Sequence, residues 1–594
     1  MNNIMPNKLC FMTVFLTLFI GNSYADIKVE SIKTSSGTVQ GYIKNKVLNY
    51  DDIPYATPPV GELRWKAPKE LIAPEAFIIK KHDNHCVQEP SAMGGAPGNG
   101  IITGSEDCLY LDVKTPKNAS SKQLPVMFWI HGGGNTSGLK DLYDFSKMVN
   151  RHDVIVVSIN YRLGAFGWFT HPSVQSLQRG LDKTSNFGTL DIVQALKWVN
   201  KNIHLFGGDK SNVTIFGESA GGHNVLSLLI APQANGLFHK AISQSGYTTS
   251  TSLNKAYINN KDDPTFNHTS NEVVKKLIPN AEKMSLEELN RKLYSFSSEE
   301  FFSIYSDKSN LEIPLLTNDD IVIPQIGLEK ALRDPTHVKT VPFIAGSNRD
   351  EVKLWIAAAE YFVELDYSLI GSILGIPRVR IKNEESFEAF NYYRSEAWKI
   401  RGVIEPISSL NKAGNLNTYA YKYDWDDHRK LFIADFKKLI GASHGTEIPL
   451  ITGNNDVVGR FGFLLYPSGP SKRFLSKNMM LLWSNFAKEG IPGSSTNGIK
   501  WVPYNHADNK KNFLILDNKK NMKISNSFVS YKSLVEKLNY DTRVNELERC
   551  VILFQMGTFV GNDIFNEIKQ FSNFQCKRKD ARKFLEANAN FIEY

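Results

Sequence analysis

The sequence predicts an α/β fold, with a large and mostly parallel central sheet flanked by helices. Three observations predict it. Val126 to Ile130 and Val154 to Ile159 are short, continuously apolar and rich in β-formers, as strands buried on both faces should be. Segments with helical apolar spacing alternate with such runs, for example Leu190, Val193, Leu196, Trp198 and Val199 within Thr189 to Asn202. Two of the runs end in turns of small residues, His131-Gly132-Gly133-Gly134 and Gly217-Glu218-Ser219-Ala220-Gly221. Strands that alternate with helices need crossover connections, and these give parallel pairing.

The elements follow in order. Lys8 precedes the apolar run Leu9 to Ile20, and Ser23-Tyr24-Ala25 ends it with small residues at the −3 and −1 positions. This is the pattern of a secretory signal with cleavage after Ala25, and it implies a secreted or periplasmic protein. The run is shorter than the roughly 20 residues that a bilayer span needs. Met93 to Gly100 reads as a flexible loop. Val213 to Phe216 is a strand, and Gly222 to Leu229 is the helix that follows its turn. Leu253 to Glu299 is polar and reads as surface helices and loops, while Val341 to Ala345 repeats the strand pattern. Cys550 to Val560 suits a core helix. The tail from residue 546 carries Lys577, Arg578, Lys579, Arg582 and Lys583, either a solvated helix end or a surface for an anionic partner.

Composition excludes several classes. The chain has 594 residues, 42% of them apolar, which is ordinary for a globular protein. A net charge of +8 is too dilute over this length for nucleic-acid binding, and no such motif is present. Five cysteines without a C-x-x-C pair make neither a disulfide scaffold nor a cysteine-rich zinc site, and no motif calls for a metal or cofactor.

The chemistry lies in the two turns. A serine at a sharp strand-to-helix turn presents its hydroxyl above the sheet, and the next amide can donate to an oxyanion. The glycine run brings further amides close to a substrate, and each such donor is worth about 3 kcal/mol in the transition state. Among thirteen histidines, only His444 sits in a small-residue loop between apolar segments downstream of both turns.

With these residues in view, the chain resembles the type-B carboxylesterase/cholinesterase family of α/β-hydrolases. The likeness spans about residues 27 to 540. It rests also on Ile53-Pro54-Tyr55-Ala56-Thr57-Pro58-Pro59-Val60-Gly61, Glu106-Asp107-Cys108-Leu109-Tyr110-Leu111, Asn160-Tyr161-Arg162 and Phe206-Gly207-Gly208-Asp209. It implies a hydrolase domain, which takes residues 26–545 between the signal (1–25) and the helical, basic tail (546–594) read from the residues above. It implies ester hydrolysis through an acyl-enzyme, with Ser219 as nucleophile, His444 as base and Glu351 as its carboxylate. Asp350 competes on carboxylate chemistry alone, and Val352 stands where the family usually has glycine. The order Ser219, Glu351, His444 is the one α/β-hydrolases use. Gly133, Gly134 and Ala220 are the implied oxyanion donors, while Glu218 and Ser245 are implied neighbours of the triad. Asn135 replaces a more usual apolar residue after the glycines.

The resemblance pairs Cys86 with Cys108. It leaves Cys550 either an orphan, facing Glu405, or paired with Cys576. Cholinesterases hold quaternary ammonium on a tryptophan within the first of these loops. Val87 to Asp107 contains no aromatic residue, so a generic carboxylesterase is expected. A cholinesterase-like or lipase-like member is the alternative, and from another class a non-catalytic adhesion relative, as in the neuroligins. Asn118, Asn135, Asn212 and Asn267 begin N-x-S/T sequons, of which Asn135 and Asn212 lie too near the site to be good acceptors.

Overall fold

The computed structural model describes residues 31–79, 84–91, 94–119, 122–257, 269–306, 315–367, 378–458, 462–504 and 512–588. The signal segment, Met93 and Asn267 lie outside the described residues.

Among the described residues, eleven strands form one sheet: β1 (Tyr42–Lys44), β2 (Val47–Pro54), β3 (Tyr110–Pro116), β4 (Leu124–Ile130), β5 (Ile155–Ile159), β6 (Gly208–Glu218), β7 (Lys240–Gln244), β8 (Phe343–Asn348), β9 (Thr418–Tyr423), β10 (Asn512–Leu516) and β11 (Lys523–Asn526). Their order is β11-β10-β9-β8-β7-β6-β4-β5-β3-β2-β1. The pairs from β5 through β4, β6, β7, β8 and β9 to β10 are parallel. The outer pairs at both ends are antiparallel.

The central strands read as continuous apolar runs because both of their faces are covered. Along β4, Val126, Phe128 and Ile130 join one core cluster, while Met127 and Trp129 join the other. This is the period-2 alternation of a strand with two buried faces. The first face is covered by α1 (Phe187–Asn202), α2 (Ala220–Ile230) and α3 (Glu384–Lys399), and the second by α4 (Pro470–Glu489). Proline at the first position of α4 and Gly490 just past its end, at φ 73°, set that helix's limits.

Over Leu253 to Glu299 the described helices lie at the surface, as expected, and each also carries an inner apolar face. The described helices Ser270–Leu277 and Leu286–Ser295 are polar outside, but Val273, Val274, Leu289 and Leu293 pack with Trp65, Phe166, Phe169 and Phe301 into a third apolar cluster. Their short apolar stripes are diluted by charge, which hides them in a composition reading.

The last helices belong to the main core. In α5 (Glu546–Thr558) Asn545 and Glu548 form a capping box, and Cys550 to Met556 are buried. The helix packs on α3 and on α6 (Arg578–Ala587), and a Cys550–Cys576 disulfide closes the intervening loop. Cys86 is bonded to Cys108. In the basic cluster, Arg578 pairs with Asp563, while Lys577, Lys579 and Lys583 are exposed.

Candidate active site

The predicted residues converge at the carboxyl ends of the parallel strands, where α/β sheets bind their ligands. The glycine turn follows β4, Ser219 follows β6, Ser245 follows β7 and Glu351 follows β8. Loops beyond β9 bring in His444.

The turn between β6 and α2 is as sharp as its glycines suggest. Ser219 sits at φ 58°, ψ −123°, a backbone conformation that an L-residue holds only under constraint. Its amide donates to Gln244 O at 2.9 Å, which ties the turn to the end of β7. The hydroxyl is not spent on capping α2, and the residue is half-buried. A Cβ on Gly221 would lie 2.0 Å from Ile130 O, so only glycine lets α2 start this close to β4. Gly133 lies at φ 99° in the neighbouring turn, where Thr136 and Ser137 amides both donate to its carbonyl. The amides of Gly133, Gly134 and Ala220 find no acceptor among the described residues.

His444 is almost buried, and its Nδ1 lies 2.7 Å from Glu351 Oε2. Glu351 is fully buried, and its other oxygen accepts from Ser245 Oγ and from the Asn348 amide, each at 2.7 Å. Asp350 faces away from the histidine. Its carboxylate accepts from Asn391 Nδ2 at 2.7 Å, Ala442 N at 2.9 Å and Arg349 Nη2 at 2.7 Å. Val352 is buried and does not disturb this geometry. Burial alone would raise the Asp350 carboxyl, yet Lys353 and Arg349 hold it down at about 2.

A second carboxyl faces the other ring nitrogen. Glu218 Oε1 lies 3.2 Å from His444 Nε2, off the line of a hydrogen bond. A third, Glu447, is fully buried and accepts from Asn348 Nδ2 at 2.6 Å and Gln244 Nε2 at 3.3 Å. Burial opposes charge on the His444 ring. Glu218 and the hydrogen-bonded Glu351 outweigh that and raise it to about 9. Burial pushes Glu218 up to about 8, against the pull of His444 and with help from Glu447 and Glu351.

Two tryptophans pack on the imidazole, with ring centres 4.6 Å (Trp398) and 5.1 Å (Trp355) away. Trp398 donates its indole N–H to the Ser245 and Gly246 carbonyls and packs edge-on against Phe559, just beyond α5. Sequence reading missed Glu447, Trp355 and Trp398. The spacing His444-x-x-Glu447 was a usable signal for the first, whereas nothing local marks the tryptophans.

Asn135 is buried, and its Oδ1 accepts from Asn224 Nδ2 at 2.8 Å and Tyr161 Oη at 3.2 Å. It therefore points into the protein, as a core polar group and not as a glycan acceptor. Asp52, Asp112 and Asp141 converge elsewhere, but Lys140 Nζ sits among them at 2.7, 2.8 and 3.1 Å and supplies the cation that such a cluster needs.

A mostly parallel sheet with a strained serine elbow at its carboxyl edge defines an α/β-hydrolase. The profile of the Carboxylesterase family matches residues 28–369 and 377–532, and the chain belongs to that family. It is 31% identical over 502 residues to the para-nitrobenzyl esterase of Bacillus subtilis (strain 168), covering 82% of this chain and 94% of that one. It is 30% identical over 555 residues to carboxylesterase 1E of Rattus norvegicus, covering 84% and 92%. Among solved structures it resembles a PNB esterase with a TM-score of 0.62 at 27% identity, covering 84% of this chain and 97% of that one. It also resembles a Geobacillus stearothermophilus carboxylesterase with a TM-score of 0.61 at 26% identity, covering 82% and 96%. The protein is a carboxylic ester hydrolase. α5 and α6 lie beyond the matched residues.

Proposed function

We propose that this esterase works by covalent catalysis through Ser219, His444 and Glu351. Ser219 Oγ attacks the ester carbonyl carbon as His444 Nε2 takes its proton. The amides of Gly133, Gly134 and Ala220 receive the developing oxyanion. When the tetrahedral intermediate collapses, the C–O bond to the alcohol breaks and His444 returns the proton to the leaving oxygen. Water then attacks the acyl-serine with the same base, and the acid leaves with Ser219 restored. Glu351 holds the His444 tautomer and stabilises the imidazolium without taking its proton. Glu218 places a carboxyl on the side of Nε2 that stabilises the imidazolium where it is ionised, and Ser245 fixes Glu351. The reading rests above all on the 2.7 Å contact between His444 and Glu351 at the sheet edge that carries the strained Ser219.

The substrate is a neutral carboxylic ester plus water, and the loop between Cys86 and Cys108 offers no ring for a choline group. Export is part of the proposal, supported by the signal pattern before Ala25 and by two disulfides, which persist in oxidising compartments. No described helix is long and apolar enough to cross a membrane. The exposed Lys577, Lys579 and Lys583 offer an anionic surface a point of contact.

The test is labelling with a fluorophosphonate probe. Ser219 is the expected site, and Ser219→Ala should remove both label and hydrolysis. Label on another serine, with hydrolysis surviving the substitution, overturns the reading.

A further inference from the structure

The loop closed by Cys86 and Cys108 contributes no group to the chemistry above, yet it carries a fully buried glutamine, Gln88. Its Nε2 donates to Cys86 O and to Gly138 O, each at 3.0 Å. Its Oε1 accepts from Gly138 N at 2.9 Å and from Ala96 N at 3.2 Å. A primary amide has two donor hydrogens and two lone pairs, so every hydrogen-bonding position of this side chain is used. Two of the four bonds close on one residue, satisfying both the N–H and the C=O of Gly138. The backbone of Gln88 is held in turn, because its amide donates to Thr103 O at 3.1 Å and its carbonyl accepts from Thr103 N at 2.9 Å.

Gly138 is the far end of the turn that contains Gly133 and Gly134. That turn closes on itself, with the Thr136 and Ser137 amides donating to Gly133 O at 3.0 and 2.9 Å. Gly138 lies at φ 117°, and a Cβ there would stand 2.4 Å from His131 Nδ1 and 2.6 Å from Gly132 O. The two ends of the turn are therefore in contact, and whatever fixes Gly138 limits the motion of the residues between them. Oxyanion donors act only when they are already within about 3 Å of where the charge will form. A misplacement of about 1 Å can cost on the order of a hundredfold in rate.

We infer that Gln88 is a positioning residue for the oxyanion turn. Through Gly138 it couples the disulfide-closed loop to the amides of Gly133 and Gly134, and it raises kcat without touching substrate. This rests on the reading of those amides as oxyanion donors.

The experiment compares wild type with Gln88→Met, which keeps the volume but makes none of the four bonds, and Gln88→Glu, which keeps the acceptor side. Active sites are counted by fluorophosphonate labelling. Then kcat per labelled site, KM for a p-nitrophenyl ester and inhibition by a trifluoromethyl ketone, which forms a tetrahedral adduct, are measured. The expected result for Gln88→Met is a fall of about tenfold or more in kcat per site, with KM within about twofold. Trifluoromethyl ketone binding should weaken in parallel, and Gln88→Glu should fall between the two. A purely structural role would reduce the number of labelled sites and leave kcat per site unchanged, which overturns the inference. If Gln88→Met does not fold, Gln88→Glu decides alone, and wild-type kcat per site in it overturns the inference. Failure of wild type to label at Ser219 overturns the triad reading and this inference with it. A labelled wild type with an unaffected Gln88→Met overturns the positioning role alone.

Discussion

Glu218→Gln should move the acid limb of the pH–rate profile to lower pH. In the proposed mechanism His444 must be neutral to take the serine proton, so kcat/KM should rise with pH as the ring loses its proton. Three carboxyls face that ring: Glu351 on Nδ1, Glu218 on the Nε2 side and Glu447 behind them. They raise it to about 9, above the ordinary 6.5, although burial works in the opposite direction. At the 3.2 Å between Glu218 Oε1 and His444 Nε2, a unit-charge attraction is worth about 1 kcal/mol in a water-like medium and about 5 kcal/mol at an effective dielectric of 20. One pKa unit corresponds to about 1.4 kcal/mol, so removing the charge should shift the limb down by at least about one unit. Because burial raises Glu218 to about 8, it is mostly protonated at neutral pH and ionises only through the alkaline range, which holds the shift near the lower end of that range. Burial keeps Tyr143 and Tyr247, which feel the Glu218 charge, protonated throughout. The plateau should fall, because the imidazolium of the transition state loses a neighbouring charge. The assay is kcat/KM for a neutral ester across acid to alkaline pH, corrected for spontaneous hydrolysis. A limb that stays in place or moves to higher pH refutes the reasoning.

Three further outcomes are expected. Glu351→Gln should lower kcat by on the order of 10³–10⁴. Asp350→Asn should keep wild-type kcat per active site but lose on the order of 3 kcal/mol of stability in denaturant unfolding, because a buried, paired carboxylate is removed. The stability from Asp350 is present above the ordinary value of 3.8 and is lost as pH falls toward about 2, so the Asn variant should lack this acid-dependent part. The reverse ranking in kcat would transfer the carboxylate role to Asp350. A choline ester should be turned over no better than its 3,3-dimethylbutyl isostere, since Val87 to Asp107 offers no ring face and cation–π attraction worth about 2 kcal/mol is forgone. A preference of about tenfold or more for choline would show that a ring elsewhere, such as Trp355, does that work.

What was legible in the sequence was local. The apolar runs of β4 and β5 show burial on both faces because neighbouring residues alternate between two cores. The glycines around Ser219 mark a turn because crowding there involves atoms only a few residues apart in sequence or on the adjoining strand. The disulfide choice for Cys550, the covered face of the helices after residue 269 and the surroundings of His444 were not legible in this way. Whether Glu351 or Asp350 meets the imidazole depends on the path of the backbone after β8. That path is set by Asn391 of α3, Lys353 and the Ala442 amide, which together draw Asp350 to the opposite side. Trp398 and Gln88 act on groups far along the chain, His444 and Gly138, through contacts that exist only once the sheet has brought those loops to one edge. Periodicity and turn chemistry are set by sequence neighbours, so the chain by itself determined the strands, the elbow and the family. Side-chain direction and electrostatic field are set by neighbours in space, so beyond Glu351 and Glu218, to which the resemblance pointed, only the tertiary structure decided which carboxyl, ring and amide surround His444 and the glycine turn.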